Sequence, residues 1–186
     1  MTYVIILRAV NVGSTGKLAM PAFRKLLEDL KFRNVETYIQ SGNAVIDTTA
    51  SAASVSKAVA AALQKLTGSP VPVLVRTHDE LTRVIAANPF AVEAAADGAR
   101  VHAVFLSGTP AATTTAGPTA GLDQIVTKNP KRRDRYHLTG DTLYLHLPEG
   151  AAESKFTSQA LDRILVVTTT ARNWNTVLKL HEMSAR

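Results

Sequence analysis

A stretch that matches itself at one fixed spacing restricts a chain more than any short motif, because both copies must then satisfy one packing scheme. Here the spacing is 98 residues. Tyr3–Leu7 (YVIIL) corresponds to Val101–Phe105 (VHAVF), and Glu36-Thr37-Tyr38-Ile39-Gln40-Ser41-Gly42-Asn43 to Asp134-Arg135-Tyr136-His137-Leu138-Thr139-Gly140-Asp141. Ser56-Lys57 corresponds to Ser154-Lys155, with no gap from Tyr3 onward. Met20-Pro21-Ala22-Phe23 opens a helix in the first copy, where Pro118 opens a weaker one in the second. A chain of 186 residues has room for two small packed units.

Each copy reads as the same series of elements. Over 20–31, Met20, Phe23, Leu26, Leu27 and Leu30 share one helical face, and Pro21 suits a first turn whose N–H groups lack partners anyway. In both copies a Gly-Asn or Gly-Asp pair lies between short alternating runs, which predicts a two-residue hairpin with glycine supplying the positive φ. Around the second turn, Tyr136, Leu138, Leu143, Leu145 and Leu147 form a core face, opposite a non-core face of Arg135, His137, Tyr144 and His146. A second helix follows, striped by Val55, Val59, Ala62, Leu63 and Leu66 in one copy and by Phe156, Ala160, Leu161 and Ile164 in the other. Closing strands are expected at Val71–Arg76 and near Val166–Thr169.

Each copy then adds a helix. Thr77-x-x-Glu80 is a capping box for 78–87, and Trp174, Val177, Leu178 and His181 stripe the terminal one. The expected fold is α+β: two tandem ferredoxin-like βαββαβ units, residues 1–90 and 91–186, each followed by an extra helix. The least structured parts are expected at Asn88–Ala99 and Ser107–Gly121.

Composition narrows the function classes. Without cysteine there is no disulfide, thiolate nucleophile or cysteine-ligated metal. Tyr3–Leu7 is followed rather than preceded by Arg8, so no signal-peptide pattern is read, no stretch approaches a membrane span, and a cytoplasmic location is expected. The net charge of +6 favours anionic partners without naming one.

Motifs narrow them further. Gly13-Ser14-Thr15-Gly16-Lys17 suggests an anion-binding turn, but Asn11 and Leu18 stand where a phosphate-binding P-loop needs Gly and Ser or Thr. Lys128, Lys131, Arg132, Arg133 and Arg135 crowd one segment that could track a phosphate backbone or simply face water. No aromatic RNA-recognition strand accompanies them, and aromatic residues are 5% of the chain, so nucleic acid is possible but not favoured. The five histidines show no metal-binding spacing, and neither a metal nor a cofactor is expected.

What remains is a set of polar residues at strand ends and turns. Arg8, Asn11, Lys17, Gln40, Ser41, Asn43, Lys155, Arg172 and Asn173 are the candidate ligand contacts, with Ser154 and Asn175 beside them. Such residues also cap helices and bond their own turns, which is the structural alternative.

At these residues a resemblance emerges. Leu7-Arg8-Ala9-Val10-Asn11-Val12-Gly13, Tyr38-Ile39-Gln40-Ser41-Gly42-Asn43, Asn88-Pro89-Phe90, the stretch from Tyr144 through Pro148 to Gly150 with Ser154-Lys155, and Thr170-Ala171-Arg172-Asn173-Trp174-Asn175-Thr176-Val177 together resemble the bacterial family called domain of unknown function 1697. The resemblance runs over nearly the whole chain and implies a duplicated α+β fold. It implies no established activity and no catalytic residues. Ala9 and Ser14 stand where the family usually carries glycine, which places a Cβ at each position.

The leading expectation is a non-catalytic binding module for a phosphorylated small ligand or nucleic-acid phosphate. An enzyme with a polar cleft between the repeats and a protein-interaction or structural role stay open, as does the oligomeric state.

Overall fold

The structure, a computed structural model, describes residues 1–11, 17–110, 117 and 119–186. In chain order the elements are β1 (Thr2–Leu7), α1 (Met20–Asp29), β2 (Arg33–Tyr38), β3 (Asn43–Asp47), α2 (Ala52–Thr67), β4 (Val73–Thr77), α3 (His78–Ala86) and α4 (Ala91–Ala96). There follow β5 (Val101–Leu106), α5 (Ala120–Lys128), a 3-10 turn (Pro130–Arg132), β6 (Arg135–Thr139), β7 (Thr142–His146), α6 (Ser158–Leu165), β8 (Thr169–Asn173) and α7 (Trp174–Ser184). The strands form two four-stranded antiparallel sheets, ordered β2-β3-β1-β4 and β6-β7-β5-β8, so the α+β class holds and the repetition is consistent with two like units. Two compact units emerge: Met1–Arg83 with Lys179–Arg186, and Val84–Leu178.

In the first unit, α1 and α2 cover one face of the sheet. Phe23, Leu27, Val55, Val59 and Leu63 pack there against Ile5, Leu7, Ala44 and Ile46. Burying each large aliphatic side chain contributes about 1.5–3 kcal/mol before entropy is counted. Helix α2 starts at Ser51, whose hydroxyl accepts from the Ser54 N–H at 3.2 Å, and ends at Gly68, left-handed at φ +74°. The edge strand β2 carries a register shift between Arg33 and Glu36, with Asn34 at φ +48°. A bulge of this kind disfavours pairing with another edge. The capping box is formed: the Thr77 N–H donates to Glu80 Oε2 at 2.6 Å, and the Glu80 N–H to Thr77 Oγ1 at 3.1 Å. The His78 and His181 rings stack with centroids 4.2 Å apart.

In the second unit, Leu122, Leu161 and Leu165 pack on Val104, Leu106, Leu143, Leu145 and Leu147, with Tyr136 and Leu138 against them, as the alternation implied. Several expectations need correction. The opposite face is not solvated at Tyr144, which is 1% exposed, its hydroxyl donating to the Val84 carbonyl at 2.9 Å. Burial pushes that phenol up to about 12. Strand β8 lies at Thr169–Asn173 rather than near Val166–Thr169, because Val166 is the left-handed end of α6 at φ +54°. Phe156 precedes that helix instead of striping it. Asn88–Ala99 contains α4, anchored by buried Phe90 and Ala94. Pro118 lies outside the described residues, and α5 starts at Ala120.

The two hairpins also differ. Thr139 pairs with Thr142 across Gly140-Asp141, the two-residue turn expected, with Gly140 at φ +57°. Tyr38 instead pairs with Asn43, leaving residues 39–42 as a four-residue loop and placing Asn43 inside β3.

Candidate functional site

Within the first unit, loop segments gather at the C-terminal end of β1. The Leu7 N–H donates to the Gly42 carbonyl at 2.8 Å, and the Arg8 N–H to the Pro72 carbonyl at 3.0 Å. The hairpin 39–42 is thereby held on one side of β1 and the approach to β4 on the other. Gly42 adopts φ +76°, and a Cβ there would lie 2.8 Å from Leu7 Cβ and closer still to Val10 Cγ2. Only glycine satisfies both the backbone angle and the approach.

Polar side chains fix this end further. Asn11 donates through Nδ2 to the carbonyls of Leu18 (2.8 Å) and Gln40 (2.7 Å), while its Oδ1 accepts from the Leu18 N–H at 2.8 Å. One amide thus ties the β1 exit, the start of α1 and the hairpin together. Asn43 is fully buried, its Nδ2 donating to the Tyr38 carbonyl at 3.2 Å and to Ser41 Oγ at 2.9 Å. Three of the seven non-glycine residues with positive φ among the described residues lie here, Ala9, Asn11 and Ile39 at +54°, +57° and +47°; the others are Lys31, Asn34, Arg133 and Val166. For β-branched Ile39 that conformation is an outlier, and residues so held cluster at functional sites.

Beside Arg8 opens a hollow of about 360 Å³ lined by Arg8, Ala9, Val10, Thr67, Ser69, Pro70, Val71 and Pro72. Arg8 is its one charged side chain among the described residues. The sequence reading missed this wall, although the Thr67-Gly68-Ser69-Pro70 run marked a turn that could have been followed.

Five candidates, Arg8, Asn11, Gln40, Ser41 and Asn43, therefore belong to one end of one sheet. Lys17 is exposed next to Leu18, and residues 13–16 of its loop lie outside the described residues. Lys155, Arg172 and Asn173 belong to the second unit. Arg172 is 8% exposed, with Nη1 donating to Thr170 Oγ1 (3.0 Å) and the Ala171 carbonyl (2.7 Å), and burial lowers its guanidinium to about 10. Set strand end to strand end, β1 matches β5 at a spacing of 99 residues (Val4 to Ala103), one more than the sequence match, and Arg76 then occupies the matching register, opposite Val4 as Arg172 is opposite Ala103, and bonds its neighbour Val75 in the same way. Asn173 accepts from the Thr176 N–H at 3.0 Å, the geometry of a helix cap on α7. Lys155 is exposed, and Ser154 beside it is buried with its hydroxyl on Asp134 Oδ2 at 3.1 Å.

The basic segment is largely paired with carboxylates. Arg132 Nε meets Asp134 at 3.0 Å, Arg133 meets Glu149 at 2.9 Å, and Arg135 bonds Glu93 while lying 5.1 Å from the Phe90 ring centroid. His146 Nδ1 faces the Arg135 guanidinium at 2.9 Å, and burial together with that cation lowers its pKa. Among the described residues no group of three or more His, Asp or Glu is arranged to hold a metal. No helix among them is long and apolar enough to cross a membrane.

The family described as Protein of unknown function (DUF1697) matches residues 1–144. The chain belongs to that family. Within DUF1697, the matched region includes the Arg8–Asn11 and Gln40–Asn43 segments at the end of β1, whereas Ser154-Lys155 and Arg172-Asn173-Trp174 lie beyond it. A solved structure of a conserved bacterial protein, SP0830 from Streptococcus pneumoniae, is similar in fold, with a TM-score of 0.64 over 98% of both chains at 18% identity. No curated protein shows a significant match to this DUF1697 chain.

Proposed function

We propose that this protein is a non-catalytic binding module for a small anionic ligand, phosphate esters included, with the ligand seated beside Arg8 at the end of β1. The observation that carries the reading is a hollow whose one charged side chain among the described residues is Arg8, with left-handed Ala9 in the same wall; Asn11, Gln40, Ser41 and Asn43 brace the neighbouring hairpin and do not line the hollow. A guanidinium offers a rigid fork of donors suited to carboxylate or phosphate. The three groups with the largest protonation shifts among the described residues, Tyr136, Tyr144 and Arg172, do not line this hollow, which favours binding over acid–base catalysis.

Carboxylate pairing of Arg132, Arg133 and Arg135 favours a small ligand over a nucleic-acid backbone, since three of the five cations in that segment already have carboxylate partners. The shared strand order also supports reading the two sheets as copies of one ferredoxin-like unit. A cytoplasmic setting accords with the cysteine-free composition.

The test is a thermal-shift screen with phosphate, sugar phosphates and small carboxylates on the wild type and Arg8→Gln. A ligand at 100 times its Kd stabilises the fold by about 2.7 kcal/mol, a shift of a few degrees. Arg8→Gln, read against its own ligand-free midpoint, should lose that shift. An equal shift in both proteins would refute the placement.

A further inference from the structure

The chemistry of the hollow narrows the ligand, given the reading of Arg8 as the anion contact. Pro70 and Pro72 form part of the wall, and proline has no backbone N–H, so these positions cannot cradle phosphate oxygens as a glycine-rich loop does. The Thr67 hydroxyl is engaged, its single proton shared between the Leu63 and Ser69 carbonyls, both at 2.9 Å, and its oxygen accepting from the Ser69 N–H at 3.4 Å. Val10 and Val71 supply further apolar surface.

A ligand entering here meets one guanidinium, the Ser69 side chain and otherwise mostly hydrocarbon. A di- or triphosphate would bring several charged oxygens against that hydrocarbon, and desolvating charge without a partner is strongly unfavourable. A single anionic group joined to a compact apolar body matches both parts of the wall. The volume of about 360 Å³ lies at the small end of ligand sites, which run roughly from 300 to 1,000 Å³. We infer that the hollow takes an amphiphile with a single anionic head group, a carboxylate or a phosphate monoester, on a small aliphatic or aromatic body, and discriminates against polyphosphates.

Calorimetric titration with phenyl phosphate, benzoate, inorganic phosphate, pyrophosphate and benzyl alcohol tests this. Phenyl phosphate or benzoate should bind at least tenfold tighter than inorganic phosphate and pyrophosphate, and which of the two leads identifies the head group. Benzyl alcohol should bind at least tenfold more weakly than the better of them. Arg8→Gln should weaken the preferred ligand at least tenfold, Arg8→Lys should restore part of the affinity, and Val71→Thr should reduce the advantage over inorganic phosphate. Tighter pyrophosphate binding that depends on Arg8 would overturn the amphiphile while leaving the anion site standing. Binding of benzyl alcohol as tight as benzoate, or absence of any Arg8-dependent binding, would overturn the anion site as well.

Discussion

Replacing Gly42 with alanine separates two contributions that are usually entangled. Gly42 and Gly68 both lie in the first unit and hold nearly equal backbone angles, φ +76° and +74°. Around Gly68 nothing lies within 4 Å of an added Cβ, whereas at Gly42 the methyl would press on the side chains of Leu7 and Val10. The left-handed conformation costs an L-residue roughly 1–2 kcal/mol, and loss of glycine's freedom in the unfolded chain returns about 0.4–1 kcal/mol. Gly68→Ala should therefore destabilise by about 1 kcal/mol. Gly42→Ala adds overpacking against buried residues, typically about 1–3 kcal/mol, for a total near 2–4 kcal/mol. Urea denaturation followed by circular dichroism measures both. With a slope of about 1–3 kcal/mol per molar urea, the midpoint of Gly42→Ala should fall about 1–2 M below wild type and clearly below that of Gly68→Ala. Unfolding free energies of the two variants agreeing to within about 0.5 kcal/mol would refute the close approach of the hairpin to β1.

Two further outcomes follow from named groups. His181 has a lowered pKa because of burial and the stacked His78; His102, half-buried on β5, and His146 beside Arg135 shift the same way. Depressed histidines bind fewer protons folded than unfolded, so their contribution is complete above the unfolded value of about 6.5 and is lost as pH falls through the folded values. Unfolding midpoints should drop between pH 7.5 and 5, and His181→Gln should flatten part of that slope; an unchanged profile would count against the stack. Asn11→Asp keeps the acceptor for the Leu18 N–H but replaces both amide donations with a carboxylate facing two carbonyls, so it should destabilise by about 1–3 kcal/mol. A urea midpoint equal to wild type would show that Asn11 does not hold the loop.

Much of the architecture was readable because it rests on local periodicity. The stripe Phe23, Leu27 and the Thr77–Glu80 box need only neighbours in sequence, and both were found in place. The pairing of Arg133 with Glu149 and Arg135 with Glu93 was not readable, since it spans 16 and 42 residues and depends on which strand ends meet. The segment 88–99 looked irregular because α4 is a short alanine-rich helix anchored by few buried groups. In the first hairpin the Gly-Asn signal was real, but buried Asn43 was drawn into β3 by its bonds to Tyr38 and Ser41, and the turn moved back along the chain. Arg8 was singled out as polar at a strand end; the proline wall facing it comes from the far side of α2 and carries no motif of its own.

The unequal hairpins place a thermodynamic burden on one sheet that the other avoids. Between Tyr38 and Asn43 lie residues 39–42, four in all, and between Thr139 and Thr142 only 140 and 141. Fixing each additional backbone residue costs about 1–2 kcal/mol, and left-handed Ile39, 49% exposed, adds strain that little burial offsets. A chain under pressure for stability alone would shorten that loop to the form its second sheet already uses. In place of that shorter form, the longer loop is held by bonds of its own, the Gln40 carbonyl accepting from Asn11 and the Ser41 hydroxyl from Asn43, so part of the cost is offset within the hairpin itself.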